Sequence, residues 1–252
     1  MGLVARSYSK VLVAASGAVT VLFLLLSCHH DRRQLSTVKA YKPLQAKTKL
    51  TSVAPTAQLK EFFADSLTIG HRKRHKITIA NYYTPDSQYV DIRFYARQLG
   101  HWKLRSSFHF QKDDLTGIDP VLTDFNHDGL FDFTYASAVA ARGANRVQRL
   151  FLYDHRHDQL LPIRNAQDYP NLLYNKHLNC LDAFALHGGC TTFFLKISGD
   201  SLREFARVDL SDSLIVRAYD QYGRGKVLFR NLANTAEYIR YKNYNPLQVY
   251  PQ

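Results

Sequence analysis

Apolar and polar residues alternate with a period of two over most of the chain beyond residue 75. The runs Lys76-Ile77-Thr78-Ile79-Ala80, Tyr89-Val90-Asp91-Ile92-Arg93-Phe94-Tyr95, Trp102 to Phe110 and Phe131-Asp132-Phe133-Thr134-Tyr135 put apolar side chains on one face of an extended segment and polar ones on the other. The rhythm continues through Arg149 to Tyr153, residues 191–197, Phe205 to Leu210, Leu214 to Tyr219 and Lys226 to Phe229. Thr84-Pro85-Asp86-Ser87, Ser198-Gly199-Asp200-Ser201 and Tyr222-Gly223-Arg224-Gly225 part these runs, since Gly, Pro, Asp and Ser enter turn backbone at little cost. The pattern predicts an all-β domain of antiparallel sheets, propeller-like or sandwich, over residues 59–252. One stretch breaks it: Leu59, Phe62, Phe63 and Leu67 fall at helical spacing, so Thr56 to Leu67 is the best helix candidate, with a packed loop as the alternative.

The first residues carry a different signal. Arg6 and Lys10 precede an apolar run from Val11 to Leu26, too short for a permanent span and suited to export and cleavage. Leu25-Leu26-Ser27-Cys28 resembles a bacterial lipobox, in which the cysteine becomes the first mature residue and its sulfur is lipidated. Each buried CH₂ of an acyl chain contributes about 0.8 kcal/mol, so several chains on Cys28 would hold a soluble domain at a bilayer. The expected location is therefore the cell envelope, as an outer-membrane lipoprotein. The basic His29-His30-Asp31-Arg32-Arg33 after the cut points to the periplasmic face, since acidic residues there mark surface export. Residues 28–58 read as a flexible tether, with Arg32, Arg33, Lys39, Lys42, Lys47 and Lys49 against Asp31 alone.

Charge follows that division. The chain holds 33 Lys and Arg against 21 Asp and Glu, a net +12. Residues 1–27 hold two basic residues and no acid, so +10 remains after cleavage, half of it on the tether. A basic arm beside anionic head groups is attracted to them within about a Debye length, ~8–10 Å, and a solubilising spacer is the alternative reading of the same residues. No nucleic-acid partner is expected for an exported chain. Lipidation of Cys28 leaves Cys180 and Cys190 in an oxidising compartment, and a disulfide between them is expected, across a His187-Gly188-Gly189 turn between two adjacent strands or between a strand and its returning loop.

Asp124-Phe125-Asn126-His127-Asp128-Gly129-Leu130-Phe131-Asp132 carries the strongest chemistry. It reads D-x-N-x-D-G-x-x-D, four oxygen-bearing side chains around a glycine bend. A hard divalent cation takes six to eight oxygens, and Asp124, Asn126, Asp128 and Asp132 with the Leu130 carbonyl supply five. Crowded carboxylates repel without a counter-ion, so Ca²⁺ is the expected cofactor, in a structural role. An EF-hand is excluded, because Tyr135 stands where that loop needs a bidentate Glu and the following residues alternate as a strand.

The stretch Asp124 to Phe133 resembles the calcium loop of FG-GAP or VCBS-type repeat proteins, where D-x-[DN]-x-D-G-x-x-D precedes a strand. With Leu150-Phe151-Leu152-Tyr153-Asp154 and the strands after it, residues 100 to 210 are similar to single-motif envelope lipoproteins of this group from Bacteroidetes-like bacteria, and distantly to calcium-binding lysozyme-inhibitor-like β-propeller proteins. The resemblance implies calcium-stabilised blades and a binding role. The chain departs from it at two places: Asp154-His155-Arg156-His157-Asp158 lacks the glycine, and Asp220-Gln221-Tyr222-Gly223 lacks the ligands.

Three functions follow. The first is a lipid-anchored, non-catalytic domain that binds or scaffolds an envelope protein or glycan, with Arg142, Asn145 and Arg146 as candidate contacts because guanidinium groups suit carboxylates and anionic glycans. The second is inhibition of a peptidoglycan hydrolase, although the stretch from Arg142 to Arg146 lacks the tyrosine of inhibitor loops. The third is a carbohydrate-active hydrolase, for which Asp113, Asp114 and Asp119 form no assignable acid and base pair and His155 and His157 fall in a charged turn. The expectation is a protein that is not an enzyme.

Overall fold

A computed structural model of the protein describes residues 56–232 and 238–251. The lipobox with Cys28 and the tether up to residue 55 lie outside the described residues. The body is all-β and built from antiparallel meanders whose strand order follows the sequence. The first sheet holds β1 (Gln58–Asp65), β2 (His75–Thr84), β3 (Ser87–Gln98) and β4 (His101–Lys112). The second holds β5 (Val121–Thr123), β6 (Asp132–Ala140), β7 (Asn145–Asp154) and β8 (Gln159–Pro162). The third has six strands, β9 (Leu173–Asn175), β10 (Cys180–His187), β11 (Gly189–Ser198), β12 (Ser201–Leu210), β13 (Ser213–Tyr219) and β14 (Gly225–Leu232), and a hairpin of β15 (Tyr241–Tyr244) and β16 (Leu247–Val249) follows. Each alternating run in the sequence forms a strand, and each turn signal falls between strands.

The sheets pack face to face in series, and the alternation of β7 shows how. Phe151 and Tyr153 point into a core shared with the first sheet, among Ile77, Ile79, Ile92 and Phe94. Leu150 and Leu152 point the other way, into a core shared with the third sheet, among Leu172, Leu181 and Leu195. The second sheet is thus buried on both faces, which is why β6 is buried from Asp132 through Ser137. Phe133 and Phe151 are register partners whose rings stack at 4.6 Å, an arrangement worth about 0.5–1.5 kcal/mol beyond the area buried. A third core lies on the far face of the third sheet, where Phe194 and Val208 meet Tyr241 and Tyr244 of the final hairpin.

The helix expected over Thr56 to Leu67 is a strand, β1, paired with β2. Its alternation is inverted. Glu61, Phe63 and Asp65 turn inward while Leu59 and Phe62 are exposed. Glu61 Oε2 accepts from Asn81 Nδ2 at 2.8 Å and from the Ile118 N–H at 3.0 Å. Asp65 Oδ1 accepts the N–H groups of Thr68 and Ile69, both at 2.8 Å. Those bonds satisfy backbone donors at the sheet margin, and Phe63 between the two acids packs on the core shared with the second sheet.

The expected disulfide is also corrected. Cys180 and Cys190 do lie on adjacent strands joined by the His187–Gly189 turn, as the sequence suggested. The register pairs Cys190 with Leu186, so Cys180 sits six residues further along the hairpin, roughly 20 Å away at ~3.3 Å per residue. A disulfide needs Cα atoms within about 7 Å. Both thiols are free and buried. Burial pushes the Cys180 thiol up to about 12 and raises that of Cys190 as well, so neither is a reactive thiolate.

Candidate functional site

The Asp124–Asp132 segment joins β5 to β6, whose last pair is Thr123 with Asp132. It is a loop that leaves a two-strand ladder and returns to it. His127 and Gly129 take left-handed backbone, φ 59° and 86°, and a Cβ at Gly129 would meet open space, so the demand there is conformational. The turn draws its polar side chains inward. Asp124 accepts the N–H of Asp128 at 3.1 Å and of Gly129 at 2.8 Å. Asn126 Oδ1 accepts the Asp128 N–H at 3.1 Å, its Nδ2 donates to Asp128 Oδ2 at 2.9 Å, and Asp128 Oδ1 accepts the Leu130 N–H at 2.8 Å.

Asp132 occupies the base of the loop and is fully buried. One oxygen accepts the Phe125 N–H at 2.9 Å and the other the Tyr153 N–H at 2.8 Å, so a single carboxylate ties the loop to β7. Burial pushes its pKa up to about 7, against the pull of those two N–H bonds, and the charges of Asp128 and Asp124 push the same way.

Of the five expected ligands, three side chains form one hydrogen-bonded set, the Leu130 carbonyl lies on that turn, and Asp132 is withdrawn beneath them. Among the described residues, no three His, Cys, Asp or Glu side chains are grouped so as to hold a metal ion. The donors still fit a hard cation by chemistry. All are oxygens, each carboxylate oxygen retains a lone pair beyond its N–H bond, and the charge on the loop is uncompensated.

Against this loop lies a cavity of about 490 Å³ between the second and third sheets. Its apolar surface comes from Phe125 of the loop and from Leu172, Leu173 and Tyr174 at β9, and its cations are Arg146, Lys176 and Arg240. The rings of His127 and Tyr174 stack at 5.3 Å, which joins loop and cavity wall.

The three expected contact residues separate. Arg142 is exposed in a turn where Ala141, Arg142 and Gly143 all have positive φ, 49°, 56° and 93°. Asn145 is a clamp instead, donating to the Leu186 carbonyl at 2.9 Å and accepting its N–H at 2.8 Å, which fastens β7 to β10. Arg146 lines the cavity and binds Asp119 through its carbonyl and carboxylate, both at 3.0 Å.

Two of the three carboxylates weighed for catalysis, Asp113 and Asp119, have framework partners. Asp113 accepts the Val139 N–H at 2.8 Å, and Asp119 is taken by Arg146.

Two clusters escaped the sequence reading. Asp182 is fully buried in β10; Arg240 holds it in an ion pair, the Tyr250 hydroxyl donates to it, and Asn175 Nδ2 donates at 2.9 Å. An acid inside the apolar run Leu181 to Leu186 was the available signal. The second cluster links the first two sheets. His75 Nδ1 accepts the His71 N–H at 2.9 Å, so Nε2 carries the proton it gives Asp158 at 2.7 Å, and the Tyr153 hydroxyl donates to the same oxygen at 3.0 Å. Burial lowers the His75 pKa, opposed by Asp158.

No family model and no curated protein matches the chain. Among solved structures it is similar to a Xanthomonas protein related to the type IV secretion system, with a TM-score of 0.44 and 10% identity over 69% of this chain and 99% of that one.

Proposed function

We propose that the chain is a lipid-anchored, non-catalytic binding protein of a bacterial cell envelope whose β domain is organised by one calcium ion in the Asp124–Asp132 loop. The observation that carries this reading is the loop itself. Asp124, Asn126 and Asp128 turn inward around left-handed residues, above a buried Asp132 whose ionisation burial opposes. A divalent cation held by these side chains and the Leu130 carbonyl would supply the charge that three carboxylates lack. The gain would appear as folding stability, because Asp132 joins the loop to β7.

The anchor is read from Leu25-Leu26-Ser27-Cys28, and the envelope location follows from it. A protein partner is favoured by one further feature, the exposed turn at Ala141–Gly143, because strained backbone on a surface turn concentrates at contact sites. Inhibition of a peptidoglycan hydrolase is the narrower form of that reading.

The test is thermal melting of the purified protein with calcium and with chelator, beside membrane fractionation. Calcium is expected to raise the melting temperature of the parent, and Asp128→Ala to remove most of that rise. Cys28→Ser is expected to move the chain from the membrane to the soluble fraction. Equal melting temperatures with calcium and chelator would defeat the calcium reading, and continued membrane retention of Cys28→Ser would defeat the lipid anchor.

A further inference from the structure

The cavity between the second and third sheets has a lining whose polar groups divide sharply into engaged and unengaged. Gln148 accepts the Leu172 N–H at 2.9 Å and donates to Thr134. Asn171 accepts the Arg146 N–H and donates to two carbonyls. The Tyr174 hydroxyl donates to Asn179 at 2.8 Å, and that of Tyr250 donates to Asp182. A polyhydroxylated sugar needs many free donors and acceptors, and these neutral groups are already engaged by the protein itself.

The cations are less satisfied. No carboxylate lines the cavity. Behind the lining, Asp119 balances Arg146 at the rim and buried Asp182 balances Arg240. Lys176 is exposed and has no acid partner among the described residues, so the set carries one uncompensated positive charge. Arg146 Nε is buried without a hydrogen-bond partner, although the same guanidinium reaches Asp119 through Nη2. Arg146 gives Nη2 to Asp119 and Arg240 gives Nε and Nη2 to Asp182 and the Asn171 carbonyl, so each keeps Nη1 as the donor it can turn to a carboxylate. Beside them stands an apolar wall of Phe125, Leu172, Leu173 and Tyr174, and the volume of about 490 Å³ lies in the range of small-ligand sites.

We propose that this cavity binds a monocarboxylate carried on an apolar body, through Arg146, Lys176 and Arg240, with the aliphatic or aromatic part against Phe125 and Leu172. The single excess charge favours a monoanion over a phosphate dianion, and the engaged neutral groups favour an apolar body over a glycan. A peptide end with an apolar last residue and a fatty acid share this chemistry. The site gives the binding role proposed above its ligand class. It does not require the metal, so calcium-dependent melting survives if the cavity binds nothing.

The test is calorimetric titration of the full chain, in calcium buffer, with N-acetylphenylalaninate and with decanoate, each beside its neutral amide. At least one carboxylate is expected to bind tenfold or more tightly than its amide, and the tighter acid identifies the source as peptide end or lipid. Lys176→Gln, an exposed substitution that leaves the fold intact, is expected to weaken the acid about five- to tenfold and leave the amide unchanged. Equal affinity for acid and amide overturns the proposal, as does no binding of either acid at millimolar concentration. Acid binding indifferent to Lys176→Gln, or tighter binding of inorganic phosphate or an acidic sugar, overturns it too.

Discussion

Asp132 offers the sharpest test of the loop, because its environment fixes both the sign and the size of an effect. Its carboxyl has an ordinary value of 3.8 and stands at about 7 in the folded chain. The folded state therefore holds the proton more tightly than the unfolded state. Stability from the protonated form is fully present below about pH 4 and is lost as pH rises through about 7. The rise from 3.8 to about 7, at 1.36 kcal/mol per tenfold change in proton affinity, gives about 4 kcal/mol, with no discount for solvent because the side chain has no exposure to water. That is a large share of the ~5–15 kcal/mol that holds most domains folded.

His75 works in the opposite sense. Its lowered value makes stability rise with pH up to about 6.5, so the parent curve mixes both groups. Asp132→Asn isolates the carboxyl. The amide keeps one N–H bond and turns a donor toward the other, Phe125 or Tyr153, at a cost of about 1–3 kcal/mol. In chelator, urea unfolding between pH 4.5 and 8 is expected to show the variant less stable at the acid end and to lose that deficit by pH 8. A parent-minus-variant difference that stays flat across this range would refute the burial argument for Asp132. With calcium present, the parent is expected to keep its stability at pH 8, because the cation favours the ionised form.

Two further outcomes follow from buried groups. Asp182→Ala should lower stability by about 3–5 kcal/mol in chemical denaturation, because it leaves the Arg240 cation without its acid; Arg240→Met together with Asp182→Leu should recover much of the loss. Cys180 and Cys190 should both react with a thiol reagent after unfolding without reductant and resist it when folded, and reductant should leave the melting temperature of the folded chain unchanged.

The sequence showed strands wherever one face is apolar and the other polar, and β2, β3, β4, β6, β7 and β11 to β14 formed where the alternation ran. β1 was misread for a physical reason. Its apolar Leu59 and Phe62 point outward while two acids flank Phe63 on the inward face and satisfy backbone donors, so the expected alternation is broken there. β5, β9, β15 and β16 span three or four residues, too few for a period to register. The loop was legible because its residue types and spacing are set by local chemistry. The Asp182, Arg240 and Tyr250 cluster was not, since its members are distant in sequence and meet only when the last hairpin packs on the third sheet. The cysteine pair shows the same limit from the other side. Adjacency in a hairpin could be read from the turn, but register decides whether two sulfurs meet.

The loop and the cavity share a wall, and that predicts coupling between cation and anion. Phe125 belongs to both, and Tyr174 lines the cavity while stacking on His127 of the loop. The Tyr174 hydroxyl is held above its ordinary value, by partial desolvation first and by the Asp124 charge after it, so the field of the loop reaches the cavity wall. Without a cation, Asp124 and Asp128 repel an incoming carboxylate, whereas a bound divalent ion reverses that field. Linkage makes the effect reciprocal: the carboxylate must raise calcium affinity by the factor that calcium raises its own. Over a solvent-exposed path a factor of about 5 is expected, at the low end of the ~1–3 kcal/mol typical of coupled sites. Titrating the acid with calcium and with chelator, and calcium with and without the acid, measures both sides. Equal acid affinities in the two buffers would show that the shared wall transmits neither charge nor shape, and would separate loop and cavity into independent sites.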